Sequence, residues 1–144
     1  MKTIKGNLLN QKEGILLHQV NCRGVMGAGI AKQIRSLYPQ HYIDYKRALA
    51  KEINSQQKLG DIVVTRVSPT LTIVGLFAQD GYGRNKQHTN YKALEQCLIK
   101  VAQLNVQPIY APYKIGCGLG GGDWEIVQQL FKKQLPQTIF VKIG

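Results

Sequence analysis

Asn21-Cys22-Arg23-Gly24-Val25-Met26-Gly27-Ala28-Gly29-Ile30 follows the apolar run Ile15–Val20. Ile115-Gly116-Cys117-Gly118-Leu119-Gly120-Gly121-Gly122-Asp123-Trp124 follows the run Pro108–Tyr113. Each stretch reads as a strand, a glycine turn and a helix start. Glycines remove side chains, so backbone N–H groups in such a turn can converge on a ligand. The helix behind it adds unpaired N–H groups and the positive end of its dipole. Tight strand–helix packing accounts for one such turn. Two turns of this length point to a ligand with two anionic or hydroxyl-rich portions, a description that fits a nucleotide diphosphate sugar. Neither turn is followed by Gly-Lys-Ser/Thr, so a P-loop is excluded. Gly24–Gly29 has the spacing G-x-x-G-x-G, the reverse of the dinucleotide-binding fingerprint, and no acidic residue lies about 20 positions on in a suitable strand end, which excludes that fingerprint.

The rest of the chain alternates strands and helices. Strands are expected over Thr3–Lys5, Ile15–Val20, Ile62–Val67, Leu71–Ala78, Pro108–Tyr113 and Thr138–Ile143. Helices are expected over Gly29–Leu37, from Pro39 to Ala50, over Asn90–Leu104 and over Trp124–Gln134, with proline suiting a first helical turn. Tyr91, Leu94, Leu98, Val101 and Ala102 recur at helical spacing. This is an α/β layered domain with a mixed, mostly parallel central sheet. In such sheets ligands bind beyond the carboxyl ends of the strands, where both glycine turns fall.

A chain of 144 residues, 44% hydrophobic and 19% charged, fits one globular domain spanning 1–144. No apolar run approaches membrane-spanning length, and the polar start Met1-Lys2-Thr3-Ile4-Lys5 does not read as a signal peptide. The odd number of cysteines (Cys22, Cys97, Cys117) argues against a disulfide framework and for a reducing, cytoplasmic setting. Three cysteines and three dispersed histidines show no metal-ligand spacing, so no metal and no cofactor is expected. The net charge of +11 favours anionic partners. The lysines are scattered rather than in one run, so a merely basic surface and nucleic-acid binding both remain open. A monomer is expected.

Lys5-Gly6-Asn7-Leu8-Leu9, Val20-Asn21-Cys22 through Gly27-Ala28-Gly29-Ile30-Ala31, and Tyr113-Lys114-Ile115-Gly116-Cys117-Gly118-Leu119-Gly120-Gly121 together resemble a macrodomain, the ADP-ribose-binding fold of three α/β/α layers. The nearest subgroups are the yeast-type ADP-ribose-1''-phosphate phosphatases and the terminal ADP-ribose protein glycohydrolases. The resemblance implies that Asn7, with Leu8 beside it, lies near the adenine amine, where most macrodomains carry Asp; an Asn carbonyl accepts the same hydrogen bond. Asn7 read without the family is a turn residue after Gly6. Asn21 and Gly27, Ala28, Gly29 and Ile30 would hold the distal ribose and part of the diphosphate. Ile115, Gly116, Cys117, Gly118, Leu119 and Gly120 would hold the diphosphate through backbone N–H groups. Gln79, at the end of the strand Leu71–Ala78, is a further ligand-binding candidate.

By the same resemblance His18 is a candidate general acid/base, the role it takes in the phosphatases, and Asp123 would orient water or the imidazole. A His in an apolar strand is equally a structural residue, and Asp123 is equally a helix N-cap. Cys22 and Cys117 are weaker candidates as nucleophiles. The glycohydrolase pattern has a Lys at the end of the strand corresponding to Leu71–Ala78 and an Asp directly after Gly-Cys-Gly-Leu. Here the strand ends Phe77-Ala78-Gln79-Asp80, and the acid is displaced to Asp123. Lys86 or Lys114 would replace that lysine only by folding over the site. An aromatic bordering the adenine is not obvious, with Lys142 near its place. Arg84 and Lys86, in the loop Asp80–His88, are placed to meet a terminal phosphate, unless that loop is a solvated hairpin.

The expected activity is therefore hydrolysis of the terminal phosphate of ADP-ribose-1''-phosphate. The alternatives are removal of ADP-ribose from protein or nucleic acid, and a non-enzymatic module that binds ADP-ribose. A general nucleic-acid-binding protein is a further reading.

Overall fold

A computed structural model describes residues 1–83 and 86–143. Its strands are β1 (Lys2–Lys5), β2 (Gly14–Val20), β3 (Ile62–Arg66), β4 (Leu71–Phe77), β5 (Ile109–Pro112) and β6 (Ile139–Lys142); its helices are α1 (Gly29–Leu37), α2 (Pro39–Ala50), α3 (Tyr91–Gln103) and α4 (Trp124–Gln134). The six strands form one sheet in the order β1-β6-β5-β2-β4-β3. Only the β3–β4 hairpin is antiparallel; the other pairs are parallel. This is the expected mixed, mostly parallel sheet. Two short 3₁₀ turns, Leu8–Asn10 and Ser55–Lys58, are additions. Each begins at an asparagine whose side chain accepts a backbone N–H, a local bond that carries no hydrophobic period to reveal it.

β2 is central, and both its faces are covered. Ile15 and Leu17 pack with Val74 and Leu76 of β4 against Leu94, Leu98 and Val101 of α3 and Val127 and Phe131 of α4. Leu16 packs with Ile73 against Ile34 of α1, while Val20, Val63 and Phe77 pack against Tyr45 of α2. A strand buried on both faces reads as a continuous apolar run, which is why Ile15–Val20 is legible. The helices form two layers, α1–α2 and α3–α4, with the sheet between them.

From β2 the chain crosses α1 and α2 to the β3–β4 edge. From β4 it crosses α3 to β5, on the other side of β2. The connections thus diverge at the carboxyl end of β2, the position where α/β sheets open a crevice.

Candidate functional site

A cleft of about 550 Å³ opens at that point. Its walls are loop one with the start of α1 (Asn21, Val25–Ala31) and loop two (Pro112–Gly116, Gly118–Gly120); Gln19, Val20, Gln79, Tyr82 and Gly83 complete it. The size is that of a small-ligand site.

Loop one is braced from within. Asn21 Oδ1 accepts from the N–H of Arg23 (2.9 Å) and from the hydroxyl of Tyr45 (2.8 Å), and Asn21 Nδ2 donates to the Val25 carbonyl (2.8 Å). The Tyr45 hydroxyl also accepts from Gly24 N (3.0 Å), and burial pushes its pKa up. Asn21 therefore shapes the loop and lines the cleft in the same place. Beyond it, Gly27, Ala28 and Gly29 are exposed. Ala28 is the N-cap of α1 and supplies no side-chain cap, so the first-turn N–H groups of that helix stay open towards the cleft.

Loop two folds on four internal bonds: Ile115 N to Pro112 O, Cys117 N to Lys114 O, Gly121 N to Gly118 O and Gly122 N to Gly116 O, at 2.8–3.0 Å. Gly116 has φ +78°, the left-handed region that favours glycine. The N–H groups of Gly116, Gly118, Leu119 and Gly120 donate to no acceptor among the described residues. Residues with open backbone donors thus line one cleft from two sides, and such donors can bind phosphate oxygens.

The predicted residues divide by where their side chains go. Asn21, Gly27, Ala28, Gly29, Ile30, Gln79, Ile115, Gly116, Gly118, Leu119 and Gly120 all line the cleft. Asn7, Leu8, Cys117, His18 and Asp123 do not. Asn7 caps its 3₁₀ turn by accepting from Leu9 N (2.9 Å) and borders a separate hollow with Lys12, Lys32 and Ser36, which touches the cleft residue Gly29. Leu8 is buried in the α1-side core. The Cys117 thiol donates to Ile115 O (3.4 Å) and packs against the core.

Two of these placements correct the expected chemistry. His18 is fully buried on the α1–α2 face of β2, with Nε2 2.7 Å from His41 Nε2. Burial first, and His41 second, hold its pKa well below the usual histidine value, so it is not poised to exchange protons near neutral pH. Asp123 is exposed outside the cleft and caps α4, with Oδ1 accepting from Glu125 N (2.9 Å). Burial raises the pKa of Cys22 and of Cys117 to about 11, so both are thiols rather than thiolate nucleophiles at neutral pH.

Asp80, beside the expected lysine position, is half-buried: its Oδ2 accepts from Arg23 (2.9 Å) and Gln56 (2.7 Å), while its Oδ1 is buried with no partner among the described residues. Arg84 lies outside the described residues. Lys86 is exposed, and its carbonyl packs near Gly121. Lys114, at φ +60°, is the only cation among the described cleft-lining residues.

Sequence reading missed Gln19, Tyr82 and Thr89. Gln19 Nε2 donates to Gln79 Oε1 (2.7 Å) and to Thr89 Oγ1 (2.9 Å), and Thr89 Oγ1 donates to Gly116 O (2.6 Å). The signal was strand parity: side chains alternate, so Gln19 follows Ile15 and Leu17 to the α3–α4 face, under loop two. His18 faces the other way.

A three-layer α/β/α domain with a donor-lined cleft at the end of its central strand defines a class, and comparison with known proteins identifies it. The Macro domain family model matches residues 17–131, and the chain belongs to that family. The chain is 28% identical over 139 residues to a DNA ADP-ribosyl glycohydrolase of Thermus aquaticus, a match covering 94% of this chain and 38% of that protein. It thus spans little more than a third of that relative. The solved macrodomain of Thermus aquaticus DarG superposes with a TM-score of 0.79 at 25% identity, covering 99% of this chain and 97% of that one. Thermosipho africanus DarTG in complex with ADP-ribose superposes with a TM-score of 0.77 at 18% identity, covering 99% of this chain and 42% of that one.

Proposed function

We propose that the chain binds ADP-ribose in this cleft and releases it from ADP-ribosylated nucleic acid. The observation that carries the binding is the pair of donor-bearing segments: open N–H groups at the start of α1 and in loop two, in residues that line a cleft of about 550 Å³ from two sides. A diphosphate bridging them receives charge-assisted hydrogen bonds from both sides. The choice of reaction is supported by the Thermus aquaticus relative, whose name gives that activity. A net charge of +11 suits a polyanionic carrier.

In this reaction water adds to the anomeric carbon of the distal ribose, the bond to the nucleic acid breaks, and the leaving group takes a proton. The described cleft-lining residues include no carboxylate, histidine or thiol. Acceleration then rests on fixing the ADP-ribosyl group by its diphosphate and on the preorganised backbone dipoles around it. Hydrolysis of ADP-ribose-1''-phosphate is the weaker reading, because its acid–base residue, His18, lies outside the cleft.

The test pairs calorimetry with ADP-ribose and an assay of ADP-ribose release from an ADP-ribosylated oligonucleotide, with an ADP-ribosylated peptide and ADP-ribose-1''-phosphate as competing substrates. Binding with release from the oligonucleotide is expected. Binding without release from any substrate replaces the enzyme by a module that only reads ADP-ribose, and no binding removes the whole reading.

A further inference from the structure

Tyr82 is unlike the other aromatic residues. Of seven Tyr, three Phe and one Trp, it alone is exposed, at 57%. It also lines the cleft, so its ring stands at the rim with a face open to solvent. A row of cations begins beside it. Asp80, two residues before Tyr82, accepts from Arg23 (2.9 Å), whose side chain is half-exposed. Gly24 follows Arg23, and the Lys46 ammonium of α2 lies 2.8 Å from where a Cβ on Gly24 would stand. The Gly24 carbonyl accepts from the Tyr42 hydroxyl (3.1 Å), and the Arg35 guanidinium of α1 lies 3.8 Å from the centre of the Tyr42 ring. These contacts join Tyr82, Arg23, Lys46 and Arg35 into one path, from the rim of the cleft over loop one to the α1–α2 layer. Among the described residues no carboxylate forms an ion pair with Lys46 or Arg35. Asp44, the only acid of α1 and α2, is turned to Gln40 and Thr65. On α3 and α4, by contrast, Lys100 and Lys133 are each paired with a carboxylate.

Resting on the function proposed above, we infer that this path is the track of the nucleic-acid strand: a base beside the ADP-ribosyl link stacks on Tyr82, and the flanking phosphates lie on Arg23, Lys46 and Arg35. The carrier has to leave the cleft across its rim, where Tyr82 stands and where Arg23 follows the lining residue Asn21. The two chemistries found side by side are those a strand requires. Cations meet its phosphates, and an aromatic face meets its bases whatever their sequence. An acidic peptide would use the cations and leave the ring idle. Stacking on Tyr82 requires a base outside a duplex, so the strand is locally unpaired at the site. The Tyr42 ring holds the Arg35 guanidinium in place before the strand arrives, and less ordering is then required on binding.

The experiment is fluorescence anisotropy with a labelled, unmodified single strand of about ten nucleotides, the span of a small groove, and with its abasic counterpart. Both are titrated over a salt series with ADP-ribose in excess, so that the strand cannot occupy the cleft itself. The proteins are the wild type, Tyr82→Ala, Tyr82→Phe and Lys46→Gln. Wild type is expected to bind the base-bearing strand about tenfold more tightly than the abasic one, the step that stacking of one base supplies. Tyr82→Ala is expected to erase that difference and Tyr82→Phe to keep it. Lys46→Gln is expected to weaken both strands alike and to reduce the salt slope by about 0.7, the share of one phosphate contact to a single strand. Its affinity for ADP-ribose is expected to stay within about twofold, since Lys46 does not line the cleft. No binding of the strand by wild type, equal binding of the two strands, a base preference that survives in Tyr82→Ala or a salt slope unchanged in Lys46→Gln overturns the inference. Polyglutamate of matched charge binding as tightly as the strand also overturns it and makes the track a site for acidic peptide. Failure of the wild type to bind ADP-ribose in calorimetry overturns the functional reading instead.

Discussion

His18 Nε2 lies 2.7 Å from His41 Nε2, and the bonds around the pair determine where every proton sits. The Thr65 hydroxyl donates to Asp44 Oδ2 (2.7 Å), so it accepts from His41 Nδ1–H (2.9 Å). His41 Nε2 is then the acceptor and His18 Nε2–H the donor. His18 Nδ1, without a proton, has no partner among the described residues. The network runs from Asp44 of α2 through Thr65 of β3 and His41 of α2 to His18 of β2 and requires a neutral His41, because a proton on His41 Nε2 would set two N–H groups face to face; a second proton on His18 would leave this bond intact but charge a buried ring.

Stability should therefore fall in mild acid. Burial lowers the His41 pKa to about 4, although Asp44 opposes it, and holds that of His18 well below 6.5. Both folded-state values lie below the unfolded one, so the unfolded chain binds more protons as pH drops. The pair's contribution is complete above about pH 6.5 and is lost progressively as pH falls towards 4. Melting curves at pH 7.5, 6, 5 and 4.5 are expected to show a decline that begins near 6.5. A flat profile down to pH 4.5 would contradict the neutral pair.

His18→Ala separates a structural histidine from a catalytic one. Truncation leaves a cavity and strips His41 Nε2 of its donor, at a cost of about 2–4 kcal/mol. The melting temperature is expected to drop, with ADP-ribose affinity at 15 °C unchanged within about threefold. A full-strength fold with turnover reduced about 10²-fold would return His18 to the chemistry.

Gly75 tests the same packing from β4. It sits opposite His18 in the sheet register, and a Cβ there would stand 2.9 Å from Val63 Cγ1 and 3.5 Å from His41 Nε2. Gly75→Ala is expected to destabilise the fold by about 1–3 kcal/mol through overpacking. An unchanged urea midpoint would show that Val63 and His41 give way freely.

The elements were legible because their signals are local. Ile15–Val20 is apolar throughout since β2 is buried on both faces, and Pro39 and Asp123 mark the starts of α2 and α4. The cleft backbone was legible because glycine-rich turns advertise open N–H groups. What failed was side-chain direction. His18 and Gln19 are adjacent, and choosing between them needs the face on which loop two lies, a fact set by the α3 crossover rather than by either residue. Thr89 falls in a polar loop and is joined to the site by its bridge to Gln79 and its bonds with Gln19, Gly116 and Gly120, most of them contacts between residues far apart in the chain.

Asp123 offers a clean division between capping and chemistry. Its carboxylate accepts from Glu125 N at the start of α4, while its own N–H donates to the Tyr91 hydroxyl (2.9 Å). Asp123→Ala is expected to cost about 1 kcal/mol, and Asp123→Asn, which keeps an accepting oxygen, almost nothing. Neither is expected to change ADP-ribose release below the melting transition. Loss of release in Asp123→Asn with an unchanged melt would show that the charge itself participates.

Loop two gives a test of the donor rows by contrast between neighbours. A Cβ on Gly120 would lie 2.7 Å from the Gly116 carbonyl and 2.7 Å from Thr89 Oγ1, whereas one on Gly118 meets nothing within 4 Å. Gly120→Ala must push the turn away from Thr89, which rotates the open N–H groups of Gly116, Gly118 and Leu119 out of line. ADP-ribose affinity is expected to fall at least about tenfold, with about 1–3 kcal/mol of stability lost to the clash. Gly118→Ala leaves the backbone alone, so its melt should match the wild type. Any loss of affinity in that variant then reports ligand lying against residue 118. Equal affinity in wild type and Gly120→Ala would mean that loop two does not hold the diphosphate through its backbone.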